Sequence, residues 1–209
     1  MSTVLHVSAS PRGGSSDSRA LADAFLETHR QAHHDVAVEH LDLFYGGTLT
    51  TCGRLAAEAK MAAFGGGQPS AAQQGDWDAA RAVFDRFAAA DTYLFSVQTW
   101  NAGVPYVLKR RIDTISQPGW LFSCTPEDGY SGLTHGKKAA VIYTSGVYSP
   151  GAPLAYGADF HAAFSSDWLR FTGFTEVTEI RRQRNVLTAP RDADRTAAPQ
   201  RAADARSRF

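Results

Sequence analysis

Cysteine is scarce in this chain of 209 residues, where Cys52 and Cys124 stand alone with no C-x-x-C spacing. That argues against a disulfide framework or a zinc site and leaves two free thiols. Net charge is missing as well, since 21 Lys and Arg balance 21 Asp and Glu. Binding to a phosphate backbone requires a basic excess, so no nucleic acid is expected as a partner. The strong acidity that steers docking electron carriers to their partners is also lacking. No apolar run is long enough to span a bilayer, and the N-terminus has no basic flank followed by an apolar core. The expectation is a soluble, cytoplasmic chain with no membrane partner. What remains, 44% hydrophobic and 20% charged residues without internal repeats, suits one globular domain over 1–209.

Strand patterns fall near 3–9, 36–42, 92–97, 138–144 and 176–181, and helical patterns near 17–32, 54–63, 76–90, 105–116 and 159–172. Asp76 reads as the cap of an amphipathic stripe through Trp77, Ala80, Val83, Phe84 and Phe87. Alternating strands and helices predict an α/β, doubly wound, five-stranded parallel sheet flanked by helices, the flavodoxin-like arrangement. Its ligand belongs at the carboxyl ends of the strands, where strand order reverses. Two segments fit this scheme poorly. Residues 44–75 form a long connection broken by Gly65-Gly66-Gly67 and Pro69. The Arg-rich tail, 185–209 with its approach, carries eight Arg against three Asp from Arg181 onward and reads as a solvated terminus.

Between the first strand and first helix lies Ser10-Pro11-Arg12-Gly13-Gly14-Ser15-Ser16-Asp17-Ser18. The N–H groups of a first helical turn lack intrahelical partners, and the aligned peptide dipoles favour an anion there. Ser10, Ser16 and Ser18 add hydroxyl donors, Arg12 adds charge, and Asp17 or Ser16 caps the helix. The glycines of a dinucleotide fingerprint are absent, since Ser8-Ala9-Ser10-Pro11-Arg12-Gly13 stands in their place. Gly136-Lys137-Lys138 likewise fails the pattern of a Walker loop. A serine-rich turn of this kind suits a single terminal monophosphate, such as that of FMN.

A second loop, Gln98-Thr99-Trp100-Asn101-Ala102-Gly103-Val104-Pro105, follows the strand at 92–97. Trp100 offers a stacking surface, Asn101 a donor and an acceptor for ring edges, and Gly103 close backbone approach. A third, Thr144-Ser145-Gly146-Val147-Tyr148, follows the strand at 138–144 and borders the same crevice. One loop for a phosphate and two for a flat ring match a mononucleotide lying across the sheet edge. Trp100 and Tyr148 would also serve as ordinary packing aromatics.

These residues together make the chain resemble the FMN-dependent NADH:quinone oxidoreductases, or NADH-azoreductases, over residues 3 to about 181. Ser10 with Ser16-Asp17-Ser18 is similar to the phosphate-contacting serines of that family. Thr99-Trp100-Asn101-Ala102 stands where the family has a Met-Tyr-Asn-Phe type loop against the isoalloxazine. Gly103-Val104-Pro105, Leu108-Lys109, Ile112-Asp113, Gly119 to Phe122, Gly136-Lys137-Lys138, Tyr148-Ser149 and Leu169 to Phe174 continue the match. The resemblance implies FMN as cofactor, NADH or NADPH as electron donor, and reduction of quinones, azo compounds or related electron-poor aromatics by two-step hydride transfer. It also implies a homodimer, with Phe122, Tyr148 and Phe174 as candidate substrate walls. Thr99 and Ala102 replace the larger family residues, and Ser145-Gly146 replaces an Arg-Gly-Gly, removing an arginine from the third loop. Two alternatives stand beside this reading: a reductase devoted to one specialised aromatic metabolite, and an electron carrier. His29 and His33, four apart, lack the carboxylate pattern of a metal site, and His135 and His161 carry no informative spacing. Absence of a G-x-S-x-G elbow argues against a serine hydrolase.

Overall fold

The structure, a computed structural model, describes residues 2–45, 52–148 and 151–183. Among them the elements alternate in chain order: β1 (Ser2–Ala9), α1 (Asp17–Ala32), β2 (Val36–Asp42), α2 (Arg54–Phe64), α3 (Ala71–Ala88) and β3 (Thr92–Gln98). There follow α4 (Tyr106–Ile115), a hairpin of β4 (Phe122–Thr125) and β5 (Gly129–Gly132), β6 (Lys138–Ser145), α5 (Phe160–Thr172) and β7 (Glu176–Gln183). Five strands form one parallel sheet in the order β2-β1-β3-β6-β7. The tail at 185–209 and part of the 44–75 connection, residues 46–51, lie outside the described residues.

Central strands that are apolar nearly throughout are what a sheet covered on both faces requires. Because successive side chains alternate, Leu5, Val7, Tyr93, Phe95, Val141 and Tyr143 pack on one face with α3, α4 and α5. Val4, Leu94, Ala140 and Ile142 meet Leu21, Ala22, Phe25 and Leu26 of α1 on the other. α1 begins at Ser16, whose hydroxyl accepts from the Arg19 amide. The reading of Asp76 as a helix cap is corrected. α3 starts at Ala71, where Ser70 and Gln73 form a reciprocal capping box that satisfies two amide donors at once. The β4–β5 hairpin is a further departure from the sequence reading, which places no strand between 97 and 138.

Glycine is required where that hairpin meets α5. A Cβ on Gly132 would stand 2.2 Å from the Gly173 nitrogen, and Gly173 itself closes α5 at φ +104°. Replacing Gly132 with Ala drives backbone against backbone. A loss of about 1–3 kcal/mol is expected in urea unfolding, as for other overpacked sites.

One polar group is buried inside the α1 face. His6 is 1% exposed, its Nδ1 lies 3.0 Å from His40 Nδ1, and its Nε2 lies 3.0 Å from Ser96 Oγ. Burial, with smaller contributions from His40 and Arg19, holds the His6 imidazole down to about 3. Below its ordinary value of 6.5 the unfolded chain takes up a proton that the folded chain refuses. Stability from this site is therefore present above that value and declines as the pH falls toward 3, by at most about 1.4 kcal/mol per pH unit. Urea midpoints measured at neutral pH and at about pH 5 should diverge in the native chain and draw together in His6→Gln.

Candidate functional site

β1 delivers the serine-rich turn. Ser10 is buried at the end of that strand, and its hydroxyl donates to Gln98 Oε1 at 3.0 Å, tying the turn to the end of β3. Gly13 takes φ +50° to start a short 3-10 turn that delivers Ser16 to the cap of α1. Ser16 and Ser18 are both buried, with their hydroxyl oxygens 3.0 Å apart. Arg12 Nη1 lies 3.7 Å from one Asp17 oxygen, while Arg182 Nη1, arriving from β7, lies 3.1 Å from the other. The result is a helix N-terminus ringed by hydroxyls and two guanidiniums, an environment that favours an anion.

The loop after β3 is a tight reversal. Trp100 and Gly103 exchange backbone hydrogen bonds of 2.9 Å and 2.8 Å, and the two residues between them are left-handed: Asn101 at φ +47° and Ala102 at φ +67°. Two consecutive positive φ values define a primed turn, which an asparagine tolerates and an alanine resists. The Ala102 carbonyl accepts from the Phe160 amide at 3.1 Å, which pins the strained residue to the start of α5. Trp100 packs against Phe44 and Tyr106 with ring centroids 5.7 Å and 6.0 Å away, leaving the Asn101 side chain at the exposed tip.

Behind this turn is a polar chain. His161 is fully buried and its Nδ1 lies 2.6 Å from Asp159 Oδ1, while Thr99 Oγ1 is 3.2 Å from its Nε2. Burial outweighs the pull of Asp159 and lowers the His161 pKa, which keeps the ring neutral. With its proton on Nδ1 the ring donates to Asp159, while Thr99 Oγ1, 3.1 Å from Nδ1 and 3.2 Å from Nε2, donates to the Thr144 carbonyl at 3.2 Å. Arg181 closes the chain with Nη1 3.0 Å from Asp159 Oδ2.

β6 brings the third loop alongside. The Thr144 carbonyl accepts from the Thr99 amide at 2.9 Å, and Ser145 Oγ accepts from the amides of Val147 and Tyr148 at 3.2 Å and 2.8 Å. These bonds curl Gly146 and Val147 into a hydroxyl-stabilised turn. The Tyr148 ring lies so close to Gly157, at φ +89°, that a Cβ there would stand 2.5 Å from its Cε1.

The structure thus gathers Ser10, Arg12, Ser16, Asp17 and Ser18 with Thr99 to Ala102 and Thr144 to Tyr148 at one end of the sheet. Two candidates are not brought there, and their placement is corrected. Phe174 is 3% exposed at the opposite end, edge-on to Tyr93 in the core and away from the strand ends that carry the loops. Phe122 packs against Phe171 and Tyr130 on the hairpin at that same far end, so it is no wall of its own chain's crevice. Sequence reasoning missed Phe44 and Tyr106 behind Trp100, Asp159 beside His161, and Arg182, and it named Gln98 and His161 without giving either its place beneath the loops. Gln98 alone had a signal, since it ends a strand that feeds a ligand loop.

Residues 2–207 match the family described as Flavodoxin-like fold. An FMN-dependent NADH:quinone oxidoreductase of Ruegeria pomeroyi is 44% identical over 188 residues, 90% of this chain and 92% of that protein. One of the same name from Nitratidesulfovibrio vulgaris is 36% identical over 180 residues, 86% and 85% of the two chains. The crystal structure of an azoreductase from Bacillus anthracis superposes with a TM-score of 0.89 at 27% identity, covering 100% of both chains. A match of this extent, on a site built at the reversal of strand order, makes the chain a member of the flavodoxin-like family that holds the FMN-dependent NADH:quinone oxidoreductases.

Proposed function

We propose that this chain is an FMN-dependent oxidoreductase that draws hydride from NADH or NADPH and delivers it to quinones, azo compounds or related electron-poor aromatics. The observation that carries the reading is the 3.0 Å bond from Ser10 to Gln98, because it fixes an anion-favouring turn beside a ring-sized loop at the same strand ends. The buried serines, the free amides of the α1 terminus and the guanidiniums fit the phosphate of FMN. The exposed Asn101 and the backbone of Thr99 to Ala102 and Thr144 to Tyr148 fit the edges of its ring. FMN held by these residues would supply the two-electron chemistry for ping-pong hydride transfer between the nicotinamide and the second substrate.

The protein's own residues position and shield. Asn101 presents an amide to the ring edge, Trp100 is braced from behind, and Thr99 is held by the Thr144 carbonyl against the buried His161 ring. Small side chains at Thr99 and Ala102 leave room beside the flavin for a flat acceptor. Around this crevice Tyr106, Leu154 and Phe160 are 60%, 83% and 63% exposed, an apolar rim that favours a homodimer with the crevice at its interface. In such a dimer Phe122 and Tyr130 are available to a partner's site. Two free cysteines suit a reducing, cytoplasmic location.

Purified protein should be yellow, bleach on anaerobic addition of NADH, and oxidise NADH with a simple quinone in the absence of any partner protein. A colourless protein that takes up no FMN would overturn the assignment. Asn101→Ala should retain FMN through its phosphate while turnover falls about tenfold, the effect of one lost hydrogen bond of roughly 1.4 kcal/mol. Unchanged turnover would show that the loop does not touch the ring.

A further inference from the structure

Arg182 is the one guanidinium at the site that is both buried and incompletely paired. It is 6% exposed, one nitrogen meets Asp17, and its Nε has no hydrogen-bond partner among the described residues. Its neighbour Arg181 differs: it reaches Asp159 and Glu179 on the other side of the strand and lies 5.2 Å over the Tyr143 ring. Alternation along β7 puts Arg182 on the α1 face with Ile180, at the level of Thr144, its register partner on β6. From there its Nη1 reaches Asp17 in the first turn of α1, between Ser16 and Ser18 in the chain.

A buried cation is costly unless its charge and its donors are met. Asp17 meets Arg182 only in part, because its side chain is 41% exposed and is shared with Arg12. Two guanidiniums facing one carboxylate leave one positive charge in excess at a helix terminus that already favours anions. Charge held away from water is felt more strongly than charge on the surface, so Arg182 outweighs the half-exposed Arg12. Donors exceed acceptors at this turn, and a phosphate dianion would supply the missing acceptors.

We propose that Arg182 recognises the terminal phosphate of the bound mononucleotide and makes the site select FMN over unphosphorylated riboflavin, with Asp17 as the tether that holds the guanidinium in place. This rests on the FMN reading above. It also gives the chain a fixed cation at the strand ends, where its third loop carries none.

The test is the dissociation constant of FMN and of riboflavin, read by flavin fluorescence on flavin-stripped protein. Arg182→Met should weaken FMN at least about tenfold while leaving riboflavin within about twofold. Arg182→Lys keeps the charge but loses the planar fork, so it should fall between native and Met. Asp17→Asn loosens the tether but leaves the guanidinium present, so it should weaken FMN less than Arg182→Met does and leave riboflavin within about twofold. A purely structural ion pair predicts otherwise, with Arg182→Met and Asp17→Asn each weakening both flavins by the same factor, and that result would overturn the proposal. So would unchanged FMN binding in Arg182→Met. Should the Met variant fail to fold, the proposal stands or falls on the FMN-to-riboflavin ratio of Arg182→Lys. A native chain that binds neither flavin defeats the functional reading itself. A native preference for FMN that survives in both Arg182 variants defeats only this inference.

Discussion

Parallel pairing of β1 with β3 is the constraint on which the site depends. Their register, from Val4 opposite Thr92 to Ala9 opposite Val97, sets the two carboxyl ends side by side. The connections leaving those ends diverge to opposite faces of the sheet, α1 on one and α4 on the other, and a crevice opens between them. Every other element serves that geometry. The hydrogen bond between Ser10 and Gln98 spans the crevice floor, Thr144 extends the floor to β6, and α5 clamps the strained turn at Ala102.

Strain is concentrated at one place and supported there. Asn101 and Ala102 adopt left-handed backbone in succession, a conformation that costs of order 1 kcal/mol or more for a residue with a Cβ. It persists because Trp100 is wedged between Phe44 and Tyr106 and because the Ala102 carbonyl is held by α5. A loop fixed in this way presents its polar tip in one orientation before any ligand arrives, which lowers the ordering cost of binding a rigid ring.

How much of this was legible in the sequence differs from element to element for physical reasons. The central strands β1, β3 and β6 announce themselves because strands covered on both faces must be apolar nearly throughout, and α1 because its stripe and its Ser16 cap agree. The start of α3 is hard to read because Asp76 is a good local cap, whereas the stronger reciprocal pair of Ser70 and Gln73 lies before Gly75, a poor helix former. The β4–β5 hairpin was overlooked because its strands are short and exposed, although Asp128-Gly129 at its turn is a recognised signal. Phe174 was taken for a pocket wall because an aromatic residue reads the same in a core as in a cleft. The paired loops were found because turn chemistry is local. Arg182 was lost among its neighbours in an arginine-rich stretch, since only the sheet reveals which arginines are buried.

The adjacent arginines of β7 carry a consequence for how this chain can vary. A strand repeats every two residues, so Arg181 and Arg182 necessarily serve opposite faces, one behind the ring loop and the other beneath the serine turn. Sliding β7 by a single position against β6 would put one arginine in the other's place and Ile180 or Gln183 in the place left behind, so that either Asp159 or Asp17 would lose its cation. The stretch between α5 and β7 is thereby locked in phase: a lone inserted or deleted residue there would strip the cation from one half of the crevice, though it lies at the far end of the molecule from it.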